Sequence, residues 1–363
     1  MNKTIRIRGN RDPKQAKSQF LLTHPLQAEG DESLDAVASC IPYTFVPELK
    51  PYAEKGQLLF THAFATAPAP VHKPRIHIIG LGDVGAHCAL GLRLMGQNDL
   101  QIGLYARNTK EAEAMRMELL QCRPPDLQTP MPDVYVVEKE RLTECDALVF
   151  AASAGVPAVL KEGDDVRMMQ FAANRKILSE YLQLLRASAF TGTLFILSDP
   201  VDALCSFSAK ELDFFPRERI IGLGLGVMAA RAAFYAKEIA PEFLHEGRAY
   251  GPHGEGLWIA NSLTDYDDAR SKALTEAAKT ANLTIRAHGK KPFYGPSLSS
   301  GAYTLLAWLR GEWFYGSIAL KDIYFGCRVR QKDGYLQIEH QTVPGALYRR
   351  LEETVHILRQ VQI

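Results

Sequence analysis

The segment from residue 75 to residue 94, RIHIIGLGDVGAHCALGLRL, constrains the fold of this chain more than any other. It starts with an apolar run typical of a buried strand, continues as Gly80-Leu-Gly-Asp-Val-Gly85, and ends in an apolar helical pattern. A G-x-G-x-x-G turn between a strand and a helix is the pattern of a dinucleotide-binding unit. The segment therefore predicts a dinucleotide site. The alternative is a strand, turn and helix that only pack in the core.

Each glycine of this turn has a separate role in such a site. Gly80 permits the tight turn, Gly82 lets the backbone approach a diphosphate, and Gly85 lets the helix pack closely on the strand. The start of the helix, at Asp83 and Val84, offers unpaired N–H groups and a positive dipole end to the phosphates. We therefore predict that these five residues form the dinucleotide site.

The composition argues against several classes of protein. With 47% apolar and 23% charged residues, the 363-residue chain is ordinary for a globular protein, and its length suggests about two domains. The net charge of +1 gives no field that attracts nucleic acid or an anionic membrane. The six cysteines are scattered, without a spacing typical of zinc. Because the sequence shows neither a signal peptide nor a long apolar run, we expect a cytoplasmic protein with no metal, nucleic-acid partner or membrane span.

From residue 73 onward, strand and helix patterns alternate, which predicts a doubly wound parallel sheet of the α/β class. The predicted strands are 75–79, 101–105, 133–137, 147–151, 193–197 and 220–223. The predicted helices are 86–95, 109–120, 165–187 and 201–209. We interpret residues 1–72 as an N-terminal extension that wraps the surface. An oligomerisation arm and a cover over the cofactor are the alternatives.

The second predicted strand ends without the acidic residue that usually binds the ribose of NAD. Arg107 and Asn108 follow this strand instead. Because a guanidinium and an amide donor suit a 2′-phosphate, we predict a preference for NADP(H) over NAD(H). The alternative is that Arg107 is only a solvated loop charge.

Several further motifs follow the fourth strand in a fixed order. They are Ala154-Gly-Val-Pro157, Ser198-Asp-Pro-Val-Asp202, Ile220-Ile-Gly-Leu-Gly224, Gly251-Pro-His-Gly-Glu255 and Lys321-Asp-Ile-Tyr-Phe-Gly326. In order and spacing they resemble the lactate/malate dehydrogenase family over residues 75–360. The resemblance implies a dinucleotide-binding Rossmann domain at 73–224 and an α/β (α+β) catalytic domain at 225–363. It leaves the first 72 residues unexplained.

The resemblance also implies roles for four residues. His253 matches the acid/base histidine of the family, and an imidazole suits this role because imidazoles titrate near neutrality. Arg231, which opens an apolar helical stretch, matches the arginine whose planar fork binds the substrate carboxylate. Arg167 matches the arginine of a mobile loop that closes over the substrate and polarises its carbonyl. Asn174 is expected to position the loop helix and the cofactor.

Three positions depart from the family pattern. Met228 replaces an aspartate three residues before the carboxylate-binding arginine, and catalysis should weaken because a thioether does not stabilise an imidazolium. Asp199 replaces the asparagine of a Ser-Asn-Pro-Val motif. We hypothesise that it becomes the partner of His253, and the alternative is that it caps the next helix. Ala158 replaces an arginine that binds the second carboxylate of oxaloacetate, which disfavours malate, although Lys161 still offers a charge on the loop.

Together these features predict an NAD(P)-dependent oxidoreductase that transfers hydride between the nicotinamide and a small 2-hydroxy or 2-oxo acid. Its predicted catalytic groups are His253, Arg231, Arg167 and Asp199. One alternative is a divergent reductase of another carbonyl or of an imine. A second, which Met228 motivates, is a nucleotide-binding sensor or scaffold without turnover. The resemblance further implies a homodimer or a homotetramer.

Overall fold

The computed structural model describes residues 58–59, 63–65, 73–154, 166–188, 190–213, 215–320, 322–332, 335–339 and 341–360. Of residues 58–59, 63–65, 166–167, 335 and 341–342 it describes the backbone alone. The strands are β1 (Leu58–Leu59), β2 (Ala63–Ala65), β3 (Arg75–Ile79), β4 (Gln101–Tyr105), β5 (Asp133–Val136), β6 (Ala147–Phe150), β7 (Thr193–Ile196), β8 (Ile220–Gly222), β9 (Arg248–Tyr250), β10 (Trp258–Ala260), β11 (Phe314–Leu320), β12 (Ile323–Lys332), β13 (Tyr335–Ile338) and β14 (Gln341–Thr342).

Six parallel strands form the part of the central sheet that the sequence predicts. Their order is β8-β7-β6-β3-β4-β5, with parallel pairing throughout. The first of them, β3, pairs with β4 on one side and with β6 on the other, so the chain winds in both directions from it. A crevice for a ligand is expected at the carboxyl ends of such strands. The predicted Rossmann-type doubly wound fold is confirmed.

Helices cover both faces of this sheet. They are α1 (Asp83–Met95), α2 (Thr109–Gln121), α3 (Val166–Ala187), α4 (Val201–Glu211), α5 (Leu225–Ile239), α6 (Phe243–Glu246), α7 (Asp268–Ala287), α8 (Tyr303–Arg310) and α9 (Gly345–Gln360), with a π-helix (Pro296–Ala302) before α8. The apolar residues of α1 and α2 belong to one core, and those of α3 and α4 belong to a second core. In α1, Cys88, Ala89 and Leu92 recur on one face and are buried there, as in an amphipathic helix.

Antiparallel strands from the second half of the chain extend the same sheet. β11 pairs with β8 through Ser317 and Gly222, and β12 and β13 follow outward. At the far edge β2 pairs with β13, while β1 pairs with β14 in a separate small sheet. The N-terminal extension thus contributes two short strands, and its remaining residues up to 72 lie outside the described part of the chain. Because one sheet runs across residue 224, the domain boundary there stays a prediction.

The π-helix fixes the distance between two helices that matter for the site. A Cβ added at Gly91 of α1 would lie 2.6 Å from Ala302, and one at Gly226 of α5 would lie 2.6 Å from the carbonyl oxygen of Ser299. The π-helix is therefore packed tightly between α1 and α5. On its other side α5 shares a third apolar core with α7 and the β9–β10 hairpin.

Among the described residues, no helix combines the length and the apolar content that crossing a bilayer requires.

Candidate active site

Steric contacts explain the glycines of the first turn. Gly80 has a φ of +93°, and a Cβ there would lie 2.5 Å from the backbone of Ala152. A Cβ at Gly85 would overlap the carbonyl oxygen of Gly80, so α1 packs directly on the turn. Gly82 differs, because a Cβ there would meet nothing within 4 Å. Its missing side chain leaves open the space from which a ligand approaches the backbone.

A cavity of about 560 Å³ opens beside this turn, and we call it the dinucleotide groove. Its volume is typical of a small-molecule site. Six of the eight residues predicted to bind the cofactor line it, namely Gly80, Gly82, Asp83, Val84, Arg107 and Asn108. The seventh, Gly85, packs beneath the turn. The eighth, Asn174, lies elsewhere and is described below.

The N-terminus of α1 fits a diphosphate. Gly82 is the N-cap residue, and no side chain bonds the N–H groups that follow it. Asp83 in the first turn carries a charge that competes with an anion. Nζ of Lys291 lies 3.8 Å from its carboxylate and offsets this charge. The groove, the uncapped helix end and the open space at Gly82 therefore fit a dinucleotide.

The far wall of the groove holds the predicted 2′-phosphate residues. Arg107 is exposed, and within the part of the chain that the structure describes no carboxylate forms an ion pair with it. Asn108 Oδ1 accepts the N–H of Lys110 at 3.2 Å and caps α2, which leaves its amide nitrogen as a donor. Glu111 and Tyr181 also line the groove, and neither was predicted from the sequence. The sequence feature that could have indicated Glu111 is its place in the first turn of α2.

Asn174 connects the ends of two strands. Its side chain is fully buried, its Oδ1 accepts the N–H of Ala154 after β6 at 2.8 Å, and its Nδ2 donates to the carbonyl of Asp199 after β7 at 2.7 Å. A buried amide with both ends bonded fixes the groups it touches. The structure therefore places Asn174 behind the site, where it holds the backbone of Asp199, and not in the dinucleotide groove.

His253 and Asp199 come together from two different elements. Asp199 follows β7, His253 lies in the loop after β9, and Oδ1 of Asp199 is 2.9 Å from Nδ1 of His253. The side chain of Asp199 is 46% exposed and that of His253 is 19% exposed, so this contact borders solvent. Pro200 is the N-cap residue of α4, and no side chain caps that helix. Asp199 therefore contacts the imidazole and does not cap α4, which was the alternative. Gly224 leaves room for the ring, since a Cβ there would lie 2.8 Å from Cβ of His253.

Groups from three elements hold the backbone of the His253 loop. The N–H of His253 donates to Oδ2 of buried Asp202 at 3.3 Å, and the hydroxyl of Ser317 donates to Oδ1 of the same carboxylate at 2.6 Å. The hydroxyl of Thr354 in α9 donates to the carbonyl of Gly256 at 2.8 Å. These three supporting residues were not predicted from the sequence. For Asp202 the signal was its place at the end of the Ser-Asp-Pro-Val-Asp motif.

Arg231 lies in the second turn of α5, so the sequence-based expectation that it opens a helix is wrong: α5 already begins at Leu225. Burial lowers the pKa of its guanidinium, and the charges of Asp199 and Tyr235 counteract part of this shift. Its Nη1 donates to Sδ of Met228 at 3.5 Å, and a thioether is a weak acceptor. Among the described residues no carboxylate forms an ion pair with Arg231, so its charge is available to an anionic ligand.

The loop predicted to close over the substrate lies outside the described residues. This loop, residues 155–165, includes Ala158 and Lys161. The backbone of Arg167 belongs to the first turn of α3, but its side chain is not among those described. The role of Arg167 therefore stays a prediction from the sequence.

Comparison with known sequences points to one family. The family model for the NAD-binding domain of lactate/malate dehydrogenases matches residues 74–222. An L-lactate dehydrogenase of Treponema denticola is 24% identical over 268 residues, which cover 73% of this chain and 81% of that relative. L-lactate dehydrogenase 1 of Enterococcus faecalis is 24% identical over 319 residues, covering 79% and 92%. L-lactate dehydrogenase A-like 6B of Homo sapiens is 28% identical over 216 residues, and this match spans 59% of the chain and only 53% of the relative's length.

Solved structures share the fold. The malate dehydrogenase of Archaeoglobus fulgidus in complex with NADH superposes with a TM-score of 0.67 at 17% identity, covering 79% of this chain and 97% of that one. The lactate dehydrogenase of Eimeria maxima with NADH and oxamate superposes with a TM-score of 0.66 at 17% identity, covering 81% and 94%. These likenesses show that the Rossmann-type sheet and the elements added to it form one known architecture.

Proposed function

We propose that this chain, which belongs to the lactate/malate dehydrogenase family, is an oxidoreductase that transfers hydride between a nicotinamide dinucleotide and C2 of a small 2-hydroxy or 2-oxo acid. The contact between His253 and Asp199, close enough to Arg231 for their charges to interact, carries the proposal. Reduction of a 2-oxo acid needs a proton donor at the carbonyl oxygen and a cation at the carboxylate. The imidazole and the guanidinium supply these two groups.

Each residue of this site has a defined task. His253 gives a proton to the carbonyl oxygen during reduction and removes it during oxidation. Asp199 accepts the Nδ1–H of His253, which fixes the ring's tautomer and stabilises its charged form. Arg231 binds the substrate carboxylate, because its charge has no carboxylate partner among the described residues. Arg167 is proposed to close over the carbonyl, as the family resemblance implies.

The dinucleotide groove supports a preference for NADP(H) within this proposal. When bound, the dinucleotide supplies or accepts the hydride. The N-terminus of α1 and the backbone at Gly82 hold its diphosphate. Arg107 and the amide nitrogen of Asn108, at the end of β4, contact a 2′-phosphate.

The substrate is proposed to carry one carboxylate. Ala158 stands where the family pattern has a second arginine, so the distal carboxylate of oxaloacetate lacks a fixed cation at that position. A 2-oxo acid with an uncharged side chain is therefore preferred over oxaloacetate, and malate is a poor substrate in the reverse direction. The homodimer or homotetramer that the resemblance implies belongs to the same proposal, and light scattering measures it.

One observation favours a second candidate function. Met228 stands where the family pattern has an aspartate, and the loss of that carboxylate motivates a nucleotide-binding sensor or scaffold without turnover. The contact between Asp199 and His253 argues against this candidate, because a carboxylate still supports the imidazole.

The test is oxidation of NADPH and of NADH with pyruvate, 2-oxobutanoate, phenylpyruvate and oxaloacetate. We expect turnover with the monocarboxylic acids, a lower rate with oxaloacetate, and faster reaction with NADPH than with NADH. His253→Gln should abolish turnover and keep dinucleotide affinity. Tight dinucleotide binding with no turnover of any acid would instead support the sensor or scaffold, and reduction of imines alone would point to a divergent reductase.

A further inference from the structure

The charges that line the dinucleotide groove do not by themselves suit a dinucleotide. Among the described residues that line it, the charged ones are Asp83, Arg107 and Glu111, so the lining carries more negative than positive charge. Arg107 lies at the far wall, whereas Asp83 lies in the first turn of α1, beside the proposed place of the diphosphate. Its carboxylate repels an anion and opposes the attraction of the helix N-terminus. A diphosphate there therefore needs a cation from outside the lining.

The segment 291–294, from the second half of the chain, brings a cation to this place. Nζ of Lys291 lies 3.8 Å from Oδ2 of Asp83. The side chain of Lys291 is 78% exposed, and in the part of the chain that the structure describes no second carboxylate forms an ion pair with it. Because Asp83 lines the groove and a lysine stem is flexible, the ammonium can reach a phosphate bound at the start of α1.

Two aromatic residues hold this segment against α1. The ring centres of Phe293 and Tyr294 lie 4.6 Å and 5.1 Å from that of His87. His87 lies one turn after Asp83 in α1, and its Nδ1 donates to the carbonyl of Asp83 at 2.7 Å. The three rings therefore fix the segment beside the groove, and only the long side chain of Lys291 needs to move when an anion binds.

We propose that Lys291 donates directly to the diphosphate of the dinucleotide and so adds a binding residue from outside the glycine turn. This inference rests on the proposed function. An ammonium supplies a full positive charge and three donors, which suit the oxygens of a phosphate. Because the diphosphate is common to NADH and NADPH, Lys291 should strengthen the binding of both to the same extent, unlike Arg107.

The test is fluorescence titration of NADH and of NADPH. Lys291→Met should lower the affinity for both about tenfold, and Lys291→Arg should keep most of it because the charge remains. The control is Lys290→Met, which removes the neighbouring exposed lysine, and it should leave both affinities unchanged. The difference between Lys291→Met and the wild type should shrink in about 1 M NaCl. Thermal unfolding of Lys291→Met should match the wild type, because an exposed ion pair contributes little to stability.

The same titrations in an Asp83→Asn background separate a direct contact from a mere offset of charge. If Lys291 only masked the carboxylate of Asp83, Lys291→Met would have no effect once that carboxylate is removed. A direct contact with the diphosphate predicts that a loss of about threefold remains in this background.

Unchanged affinities in Lys291→Met, a loss for NADPH alone, or no loss in the Asp83→Asn background would overturn the inference and leave the proposed function standing. If the wild type binds neither dinucleotide, the proposed function itself fails, and calorimetric titration with ADP decides on Lys291. Weaker binding of ADP to Lys291→Met than to the wild type then supports the contact with a diphosphate. Equal or absent binding of ADP refutes it.

Discussion

The proposed dinucleotide side and the proposed substrate side of this molecule are formed in different ways, one by the backbone and the other by side chains. On the dinucleotide side, backbone geometry forms the site: the φ of +93° at Gly80, the open space at Gly82 and the uncapped start of α1. On the substrate side, the side chains of Asp199 and His253 converge from two separate loops, and Arg231 joins them from α5. A backbone turn with a positive φ and a close approach requires glycine at Gly80, whereas a charge near an imidazole can come from more than one element.

Asp199 and Met228 illustrate the consequence of this difference. The carboxylate that the family pattern places in α5 is absent, because buried Met228 occupies that position. A carboxylate from the end of β7 contacts His253 instead, at 2.9 Å. The position of a supporting charge can thus pass from one element to another while the imidazole keeps its contact. A missing motif residue is therefore weak evidence that a site of this kind has lost its function.

His77 and His253 differ in burial and in their contacts, although both are histidines. His77 in β3 is 2% exposed, its Nδ1 lies 2.8 Å from the carbonyl of Leu142 and its Nε2 lies 2.8 Å from the hydroxyl of Tyr135. Burial lowers the pKa of His77 to about 4. The ring of His253 reaches the solvent boundary and contacts a carboxylate. His77 is suited to hold the fold as a neutral group, whereas His253 is placed to meet a ligand at the edge of the protein.

The largest expected effect is on the substrate side, in Arg231→Met. Loss of the charge-assisted contact with the substrate carboxylate should lower kcat/KM about 1,000-fold, or about 4 kcal/mol. The free energy of unfolding should stay equal or rise, because a partly buried guanidinium without a carboxylate partner among the described residues is removed. Steady-state kinetics and urea unfolding measure the two effects.

The matched control for this variant is Arg270→Met. Arg270 pairs with Glu242 at 2.9 Å, so its loss should lower stability and leave kcat/KM unchanged. A loss of stability in Arg231→Met with no loss of activity would mean that Arg231 belongs to the fold and not to the site.

The next effect is the dependence of stability on pH that His77 causes. Because His77 stays neutral in the folded chain down to about pH 4, below pH 6.5 the unfolded chain binds a proton that the folded chain does not. Stability should therefore fall as the pH drops from 6.5 to 4, by about 3 kcal/mol from this residue. Urea unfolding from pH 7 to pH 4 should show a shallower loss in His77→Gln than in the wild type. Parallel slopes for the two proteins would contradict the assignment.

On the dinucleotide side, Gly82→Ala and Gly80→Ala form a matched pair. The added methyl at Gly82 meets no protein atom within 4 Å, so folding should be unaffected while dinucleotide affinity falls about 30-fold, or about 2 kcal/mol. The methyl at Gly80 clashes with Ala152 at a positive φ, so that variant should lose about 3 kcal/mol of stability. Calorimetric binding and thermal unfolding check both. Unchanged affinity in Gly82→Ala would place the diphosphate elsewhere.

The smallest effect concerns Arg107→Ala. If the guanidinium contacts a 2′-phosphate from the surface of the groove, the ratio of NADPH to NADH affinity should fall about tenfold with NADH affinity unchanged. Arg123→Ala, an exposed arginine that does not line the groove, is the control. An equal loss for both dinucleotides would indicate a contact with the diphosphate or adenine instead.

The sequence predicted the parallel sheet beside the dinucleotide groove more completely than the contacts around His253. The parallel strands were predictable within one residue because all of them except the edge strand β5 are largely apolar runs that are buried on both faces. Helix α7 was missed because its buried face consists largely of small or polar residues, which give a weak apolar period. The contacts of Asp202 and Thr354 with the His253 loop, and of Ser317 with Asp202, were missed because they join distant segments that only the tertiary fold brings together. The contact between Asp199 and His253 was predictable because the family resemblance showed one carboxylate lost and one gained.

The kcat of Asp199→Asn with a 2-oxo acid and NADPH tests most directly whether the supporting carboxylate has moved to the end of β7. The amide keeps the size of the side chain but removes the charge that orients and stabilises the imidazole of His253. We predict a fall in kcat of about 1,000-fold with dinucleotide affinity retained. A kcat equal to that of the wild type would contradict the account, because His253 would then need no carboxylate from residue 199.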